Sequence, residues 1–120
     1  MAKNIGSGDA VFTTNFSYFA TTEVISHLGA TPIFVDIDKN TFNINPNLLE
    51  SVIKKTIKQN KFIPKAIISV DIFGQSEAID EIKKIIKNKN IKIISDAAQS
   101  PYAFYKKKFA GTLGDIGGYS

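Results

Sequence analysis

Short apolar runs rich in β-branched residues alternate along this chain with stretches whose apolar residues recur at helical spacing, and that alternation leaves few architectures open. After the glycine turn Gly6-Ser7-Gly8, the run Ala10-Val11-Phe12-Thr13-Thr14 reads as a buried strand. A helix is expected over 18–28, with Phe19, Val24, Ile25 and Leu28 as its apolar positions and Gly29 as its stop. Pro32-Ile33-Phe34-Val35 makes a second strand leading into Asp36-Ile37-Asp38. Asn45-Pro46 then supplies an N-cap and a first-turn proline for a helix striped by Leu48, Leu49, Val52, Ile53 and Ile57. Ala66-Ile67-Ile68-Ser69-Val70 is the continuous apolar run of a strand covered on both faces, and it ends at Phe73-Gly74-Gln75. Ile79, Ile82, Ile85 and Ile86 recur helically opposite Lys83, Lys84 and Lys87, and Ile91 to Ser95 makes a further strand. The order βαβαβαβ implies an open, mostly parallel three-layer α/β sheet with helices on both faces, because right-handed crossovers place them there. Residues 102–110 read as a small hairpin around Lys106-Lys107-Lys108, and 115–120 as a short last strand without a cap. The chain is therefore expected to stop in mid-fold.

At 120 residues the chain is one fold unit, long enough to bury roughly 65% of its unfolded surface. Its 43% apolar and 22% charged content argues against disorder. The net charge of +4 comes entirely from spread lysines. With no arginine for bidentate readout, nucleic acid is not expected as a partner. The absence of cysteine excludes thiolate chemistry, and a single histidine, His27, cannot build a multi-histidine metal site, so no metal is expected. Neither a signal-peptide apolar core in MAKNIGSGDA nor a membrane-length apolar run is present, so the expected location is the cytoplasm, away from membrane.

Ligands of open α/β sheets bind beyond the carboxyl ends of the strands. Asp96 ends its strand there and precedes Ala97-Ala98-Gln99, small residues that would let a flat ligand approach the backbone. The competing reading is a local cap of the next turn. Tyr18 and Phe16, just past the first strand, either stack on a ligand or belong to the core. Asp36 and Asp38 read as a solvated turn, His27 as a helix-end residue, and the lysine triplet as a solvated hairpin tip. The glycines at 6–8 and 114–118 match no dinucleotide or phosphate-loop spacing.

Six segments in collinear order carry a resemblance: Gly6-Ser7-Gly8-Asp9-Ala10-Val11; Asn15-Phe16-Ser17-Tyr18-Phe19-Ala20-Thr21; Phe34 to Asp38 with Thr41-Phe42-Asn43-Ile44; Phe73-Gly74-Gln75; Asp96-Ala97-Ala98-Gln99-Ser100; and Gly114-Asp115-Ile116-Gly117-Gly118-Tyr119-Ser120. Together they resemble the DegT/DnrJ/EryC1/StrS sugar aminotransferases over essentially the whole chain. The resemblance implies a fold type I, aspartate aminotransferase-like large domain using pyridoxal 5'-phosphate. Its implied reaction moves an amino group, usually from glutamate, onto a keto group of a nucleotide-linked sugar. It implies that Asp96 pairs with the ring nitrogen, Gln99 bonds near the ring hydroxyl, Tyr18 stacks on the ring and Ser120 holds the phosphate, with the family's Asp-to-Gln and Asp-to-Ser intervals kept. The family's Schiff-base lysine lies a few residues past the position of Ser120, so no catalytic residue is expected within 1–120. The implied piece is the central portion of the large domain, without the small carboxy-terminal domain, inactive on its own and a homodimer when complete. Asp71 stands where many relatives have His. Relatives with His at the lysine position are sugar dehydratases. A non-catalytic α/β binding domain is the alternative from another class. A phosphoacceptor or flavodoxin-like domain would need an acidic cluster or phosphate loop that 13–17 do not offer.

Overall fold

In the computed structural model, residues 4–120 are described; residues 1–3 lie outside them. Five strands, β1 (Asp9–Thr14), β2 (Thr31–Val35), β3 (Ile63–Val70), β4 (Lys92–Asp96) and β7 (Ile116–Gly118), form one parallel sheet in the order β2-β1-β3-β4-β7. Helices α1 (Ala20–His27), α2 (Pro46–Gln59) and α3 (Ile79–Ile85) make the crossovers. A separate antiparallel hairpin joins β5 (Phe104–Tyr105) to β6 (Lys108–Phe109). The expected mostly parallel α/β architecture is the one observed.

Burial separates the two faces. Ala10, Phe12, Ile67 and Ile93 on one side of the sheet meet Leu49 and Ile53 of α2 and Ile79 and Ile82 of α3. Val11, Ile68 and Val70 on the other meet Ile25 of α1. β1 is buried along its whole length because helices cover both its faces. The two strand prolines sit where a missing N–H is tolerated: Pro32 on the edge strand β2, and Pro64 where the β1–β3 register shifts.

Local chemistry fixes the helix ends. Asn45 Oδ1 accepts from the N–H groups of Asn47 (3.0 Å) and Leu48 (3.2 Å), Pro46 opens α2, and Asn60 closes it in the left-handed conformation. Replacing Asn45 with Ala is expected to cost about 1 kcal/mol of stability. Chemical denaturation checks this, and an unchanged midpoint would mean the cap is redundant.

Three expectations need correction. Of the four apolar positions read into the first helix only Ile25 is buried; Phe19 and Val24 are exposed, so α1 rests on the sheet through a narrow contact. In α2 the ends of the stripe, Leu48 and Ile57, are exposed as well. The lysine triplet is more than a solvated tip: Lys106 Nζ pairs with Asp80 Oδ2 at 2.5 Å and Tyr105 Oη donates to the same oxygen at 3.2 Å, tying the hairpin to α3.

Candidate active site

The chain leaves β1 for β2 on one side and reaches β3 on the other, so the sheet has its topological switch at the carboxyl end of β1. α1 covers only part of its face. Beside it, Ile68 of β3, Ile94 of β4 and Ile116 of β7 line a cleft of about 690 Å3. Tyr18, Asp96, Gln99 and Ser120, four residues from three separate stretches of sequence, line this one cleft. Tyr18 is 79% exposed, which excludes the core reading of that aromatic; Phe16, at 40%, is likewise outside the core.

Asp96 closes β4. Its Oδ1 accepts from the N–H of Ala98 (3.2 Å), the local turn bond foreseen as the alternative, while Oδ2 receives the Thr21 hydroxyl across the cleft at 3.4 Å. Thr21 in turn contacts Ser17 Oγ at 2.9 Å, so a hydroxyl relay from the first turn of α1 reaches the carboxylate. The turn cap and the ligand-facing role are compatible: one oxygen anchors the loop and the other is held at the cleft. Sequence reading missed Ser17 and Thr21 as a pair, although their four-residue spacing across the start of a helix was the available signal.

Gln99 Oε1 accepts from the N–H of Phe73 at 3.0 Å. That bond fixes which end of the amide is which, and leaves the amide NH2 as a donor without a partner among the described residues. Ala98 and the glycine pair Gly117-Gly118 keep the cleft wall low, and a Cβ placed on Gly118 would meet nothing within 4 Å.

Asp71 does not line the cleft. It is 1% exposed and accepts from the N–H of Glu77 (2.9 Å) and the hydroxyl of Ser100 (3.3 Å). Burial, then the neighbouring charge of Asp96, pushes its carboxyl above the ordinary range against the pull of those two donors. Glu77, overlooked in the sequence, is also 1% exposed, and neither carboxylate oxygen has a hydrogen-bond partner among the described residues. Burial first and Asp71 second push it well above the usual carboxylate range. The nearby amides of Ile44 and Val70 pull the other way without a bond of normal geometry.

Asp36 and Asp38 are the solvated turn expected: Asp36 accepts from the N–H of Ile37, and Asp38 from those of Asn40 and Thr41. His27 ends α1. At the rim of the cleft, Phe16, Phe42 and Phe73 touch one another with centroids 5.6, 5.8 and 6.0 Å apart. Phe42 (φ 61°) and Phe73 (φ 53°) lie in the left-handed region, on the order of 1–3 kcal/mol of strain each.

The cleft offers a carboxylate, an oriented amide donor, an exposed phenol ring and a hydroxyl around a low-walled space. This set fits a flat, phosphorylated aromatic ring carrying a basic nitrogen and a hydroxyl.

Known proteins resemble this chain over nearly its whole length. The chain is 42% identical over 116 residues to the UDP-2-acetamido-2-deoxy-3-oxo-D-glucuronate aminotransferase of Pseudomonas aeruginosa, covering 97% of this chain and 30% of the relative. It is 40% identical over 119 residues to the dTDP-3-amino-3,6-dideoxy-alpha-D-galactopyranose transaminase of Aneurinibacillus thermoaerophilus, covering 99% and 31%. Its fold superposes on Escherichia coli GDP-4-keto-6-deoxy-D-mannose-3-dehydratase with bound hydrated PLP, with a TM-score of 0.84 at 32% identity, covering 94% of this chain and 27% of that one. The chain thus spans under a third of the length of these relatives. The fold is that of the pyridoxal-phosphate-dependent fold type I enzymes. The sequence profile of the DegT/DnrJ/EryC1/StrS aminotransferase family matches residues 1–120, and the chain belongs to that family.

Proposed function

We propose that residues 1–120 are the central portion of the large cofactor-binding domain of a pyridoxal-phosphate-dependent sugar aminotransferase. The acceptor is the keto group of a nucleotide-linked sugar and the donor is an amino acid, glutamate by family resemblance. The complete enzyme is read as a homodimer. The observation that carries the reading is the convergence of Tyr18, Asp96, Gln99 and Ser120 on one cleft at the carboxyl edge of the sheet.

When bound, pyridoxal phosphate supplies a ring that accepts electron density as a proton leaves the carbon bearing the amino group. Every other contribution here is the chain's own. Asp96 holds a proton at the ring nitrogen, and the Thr21 hydroxyl and Ala98 N–H keep its two oxygens in place. The Gln99 NH2, oriented by the bond from Phe73, donates to the ring hydroxyl. Tyr18 covers a ring face and Ser120 donates to the phosphate.

Fifteen lysines would form adventitious adducts with the aldehyde. The amine form, pyridoxamine 5'-phosphate, cannot, and is the cleaner probe. Titration followed by ultraviolet absorbance and phosphorus resonance is expected to show saturable binding at one site. Replacing Gln99 with Ala should weaken it roughly threefold to tenfold, the worth of one neutral hydrogen bond. Non-saturable binding, or binding indifferent to that change, would overturn the reading.

The similarity to the 3-dehydratase supports a second reading within the same cofactor class, namely dehydration of the sugar. The residue at the family's lysine position in the full reading frame separates them, Lys supporting transamination and His dehydration.

A further inference from the structure

We propose that Phe16, Phe42 and Phe73 form a stacking platform for the base of a nucleoside diphosphate, the carrier end of the substrate; the assignment rests on the nucleotide-sugar reading above. The three rings come from segments far apart in sequence. They nevertheless meet in one cluster while remaining 40%, 40% and 66% exposed. Exposed aromatics that served only to fill space would be free to vary in position. These are pinned.

The N–H of Phe16 donates to Thr14 Oγ1 (3.0 Å), that of Phe42 to the Asp38 carbonyl (2.8 Å), and that of Phe73 to Gln99 Oε1 (3.0 Å). Buried Asn43 ties the second and third ring segments together: its Oδ1 accepts from the N–H of Ile72 (3.1 Å) and its Nδ2 donates to the Gln75 carbonyl (3.2 Å). The left-handed backbones of Phe42 and Phe73 are held against their intrinsic preference in a cluster whose rings stay partly open to solvent. What the strained turns achieve is a fixed set of ring faces at the mouth of the cleft.

The surroundings distinguish a base from a protein segment as the occupant. Between Phe16 and Phe73 lies a crevice of about 340 Å3 that also takes in Asn15, Ser17 and Gln99. Amide and hydroxyl groups beside ring faces can read the polar edge of a base while the rings take its face. Ser17 already pairs with Thr21 and Gln99 with Phe73, so the Asn15 amide is the group placed to read that edge, and a purely apolar partner would make no use of it. The crevice shares Tyr18 and Gln99 with the cofactor cleft, so carrier and reacting sugar can lie in one continuous groove. Relatives are named for uridine, thymidine and guanosine carriers. Stacking tolerates that range because every base has a π-face.

The test is saturation-transfer NMR on the chain with UDP, dTDP, GDP and, lacking a base, pyrophosphate. Saturation is expected to be strongest on the base protons, and pyrophosphate should fail to compete at equal concentration. Phe16→Leu and Phe73→Leu, which keep apolar bulk, should each weaken UDP binding about fivefold or more. Phe42→Gly should do the same without loss of folding, since glycine accepts the left-handed backbone. Equal competition by pyrophosphate overturns the platform, as does UDP binding unchanged in the ring variants or absent from the parent chain. So does a shift in sedimentation from dimer to monomer in those variants with UDP binding intact, which would assign the rings to an interface between copies. Titrating the same variants with pyridoxamine 5'-phosphate separates the two readings. Cofactor binding that persists while nucleotides ignore the rings removes only the platform, whereas absent cofactor binding removes the cofactor reading.

Discussion

Replacing Asp96 with Asn is expected to weaken binding of pyridoxamine 5'-phosphate by about 10- to 100-fold, the value of a hydrogen bond to a charged partner. Asn retains a side-chain oxygen to accept from Thr21 or Ala98 but has no charge with which to hold a proton on a ring nitrogen. The loss should therefore appear without a loss of fold. With a nitrogen-15 label in the ring, the parent chain should show a protonated nitrogen at pH 7.5 and the variant a neutral one. Thr21→Val, which removes only the hydroxyl 3.4 Å from the carboxylate, should cost several-fold less affinity and leave the nitrogen protonated. That split marks Asp96 as the proton holder and Thr21 as a positioning residue. Equal affinity for Asn and Asp at 96, or a nitrogen neutral in both, would dissociate this carboxylate from the ring.

How much of this was legible beforehand follows from which signals are local. Strand β3 could be read because Ala66 to Val70 is apolar at every position but one, and α2 because Asn45-Pro46 announces its start. Asp96 was legible as the first polar side chain past a buried strand in a fold that puts ligands there. Its partner roles needed the family resemblance as well. The exposed faces were harder. Phe19 and Val24 read as the apolar stripe of a helix and Phe16 as either core or a ligand stack, and the structure leaves all three at the surface. Apolar character says that a side chain prefers to be covered, and nothing about whether this chain supplies the cover. The ring cluster depends on the loops after β1, β2 and β3 converging, with Asn43 buried between two of them. No window of sequence contains that information. Glu77 was invisible for a related reason: a glutamate beside Ser76 and Ala78 at the start of a helix looks solvated, and only packing behind β3 shows it buried.

That buried glutamate sets the second large expectation, a stability that falls as pH rises. Glu77 and Asp71 both have carboxyls pushed above their ordinary values, chiefly by burial, and each is raised further by a neighbouring carboxylate. A carboxyl raised in the folded state keeps its proton where the unfolded chain has released it. Folded molecules then bind more protons than unfolded ones, and unfolding free energy declines with pH from the ordinary carboxylate range near about 4 up to the raised folded values, and is level beyond them. Of the two, Glu77 dominates, because burial pushes it well above the ordinary range, whereas the Glu77 N–H and the Ser100 hydroxyl hold Asp71 closer to its own. Glu77→Gln keeps the shape and abolishes the titration. The variant should match the parent chain at about pH 4 and exceed it at pH 7.5 by about 1–3 kcal/mol, the scale of one unsatisfied buried polar group. Exposed Glu50 and Asp80, whose carboxyls are lowered by Lys54 and Lys106, tilt the curve the other way but equally in both proteins. The difference between the two urea-denaturation curves therefore isolates position 77. A difference that shrinks between pH 4 and 7.5, or is constant across that window, would mean that Glu77 finds a charge-stabilising partner in the folded chain.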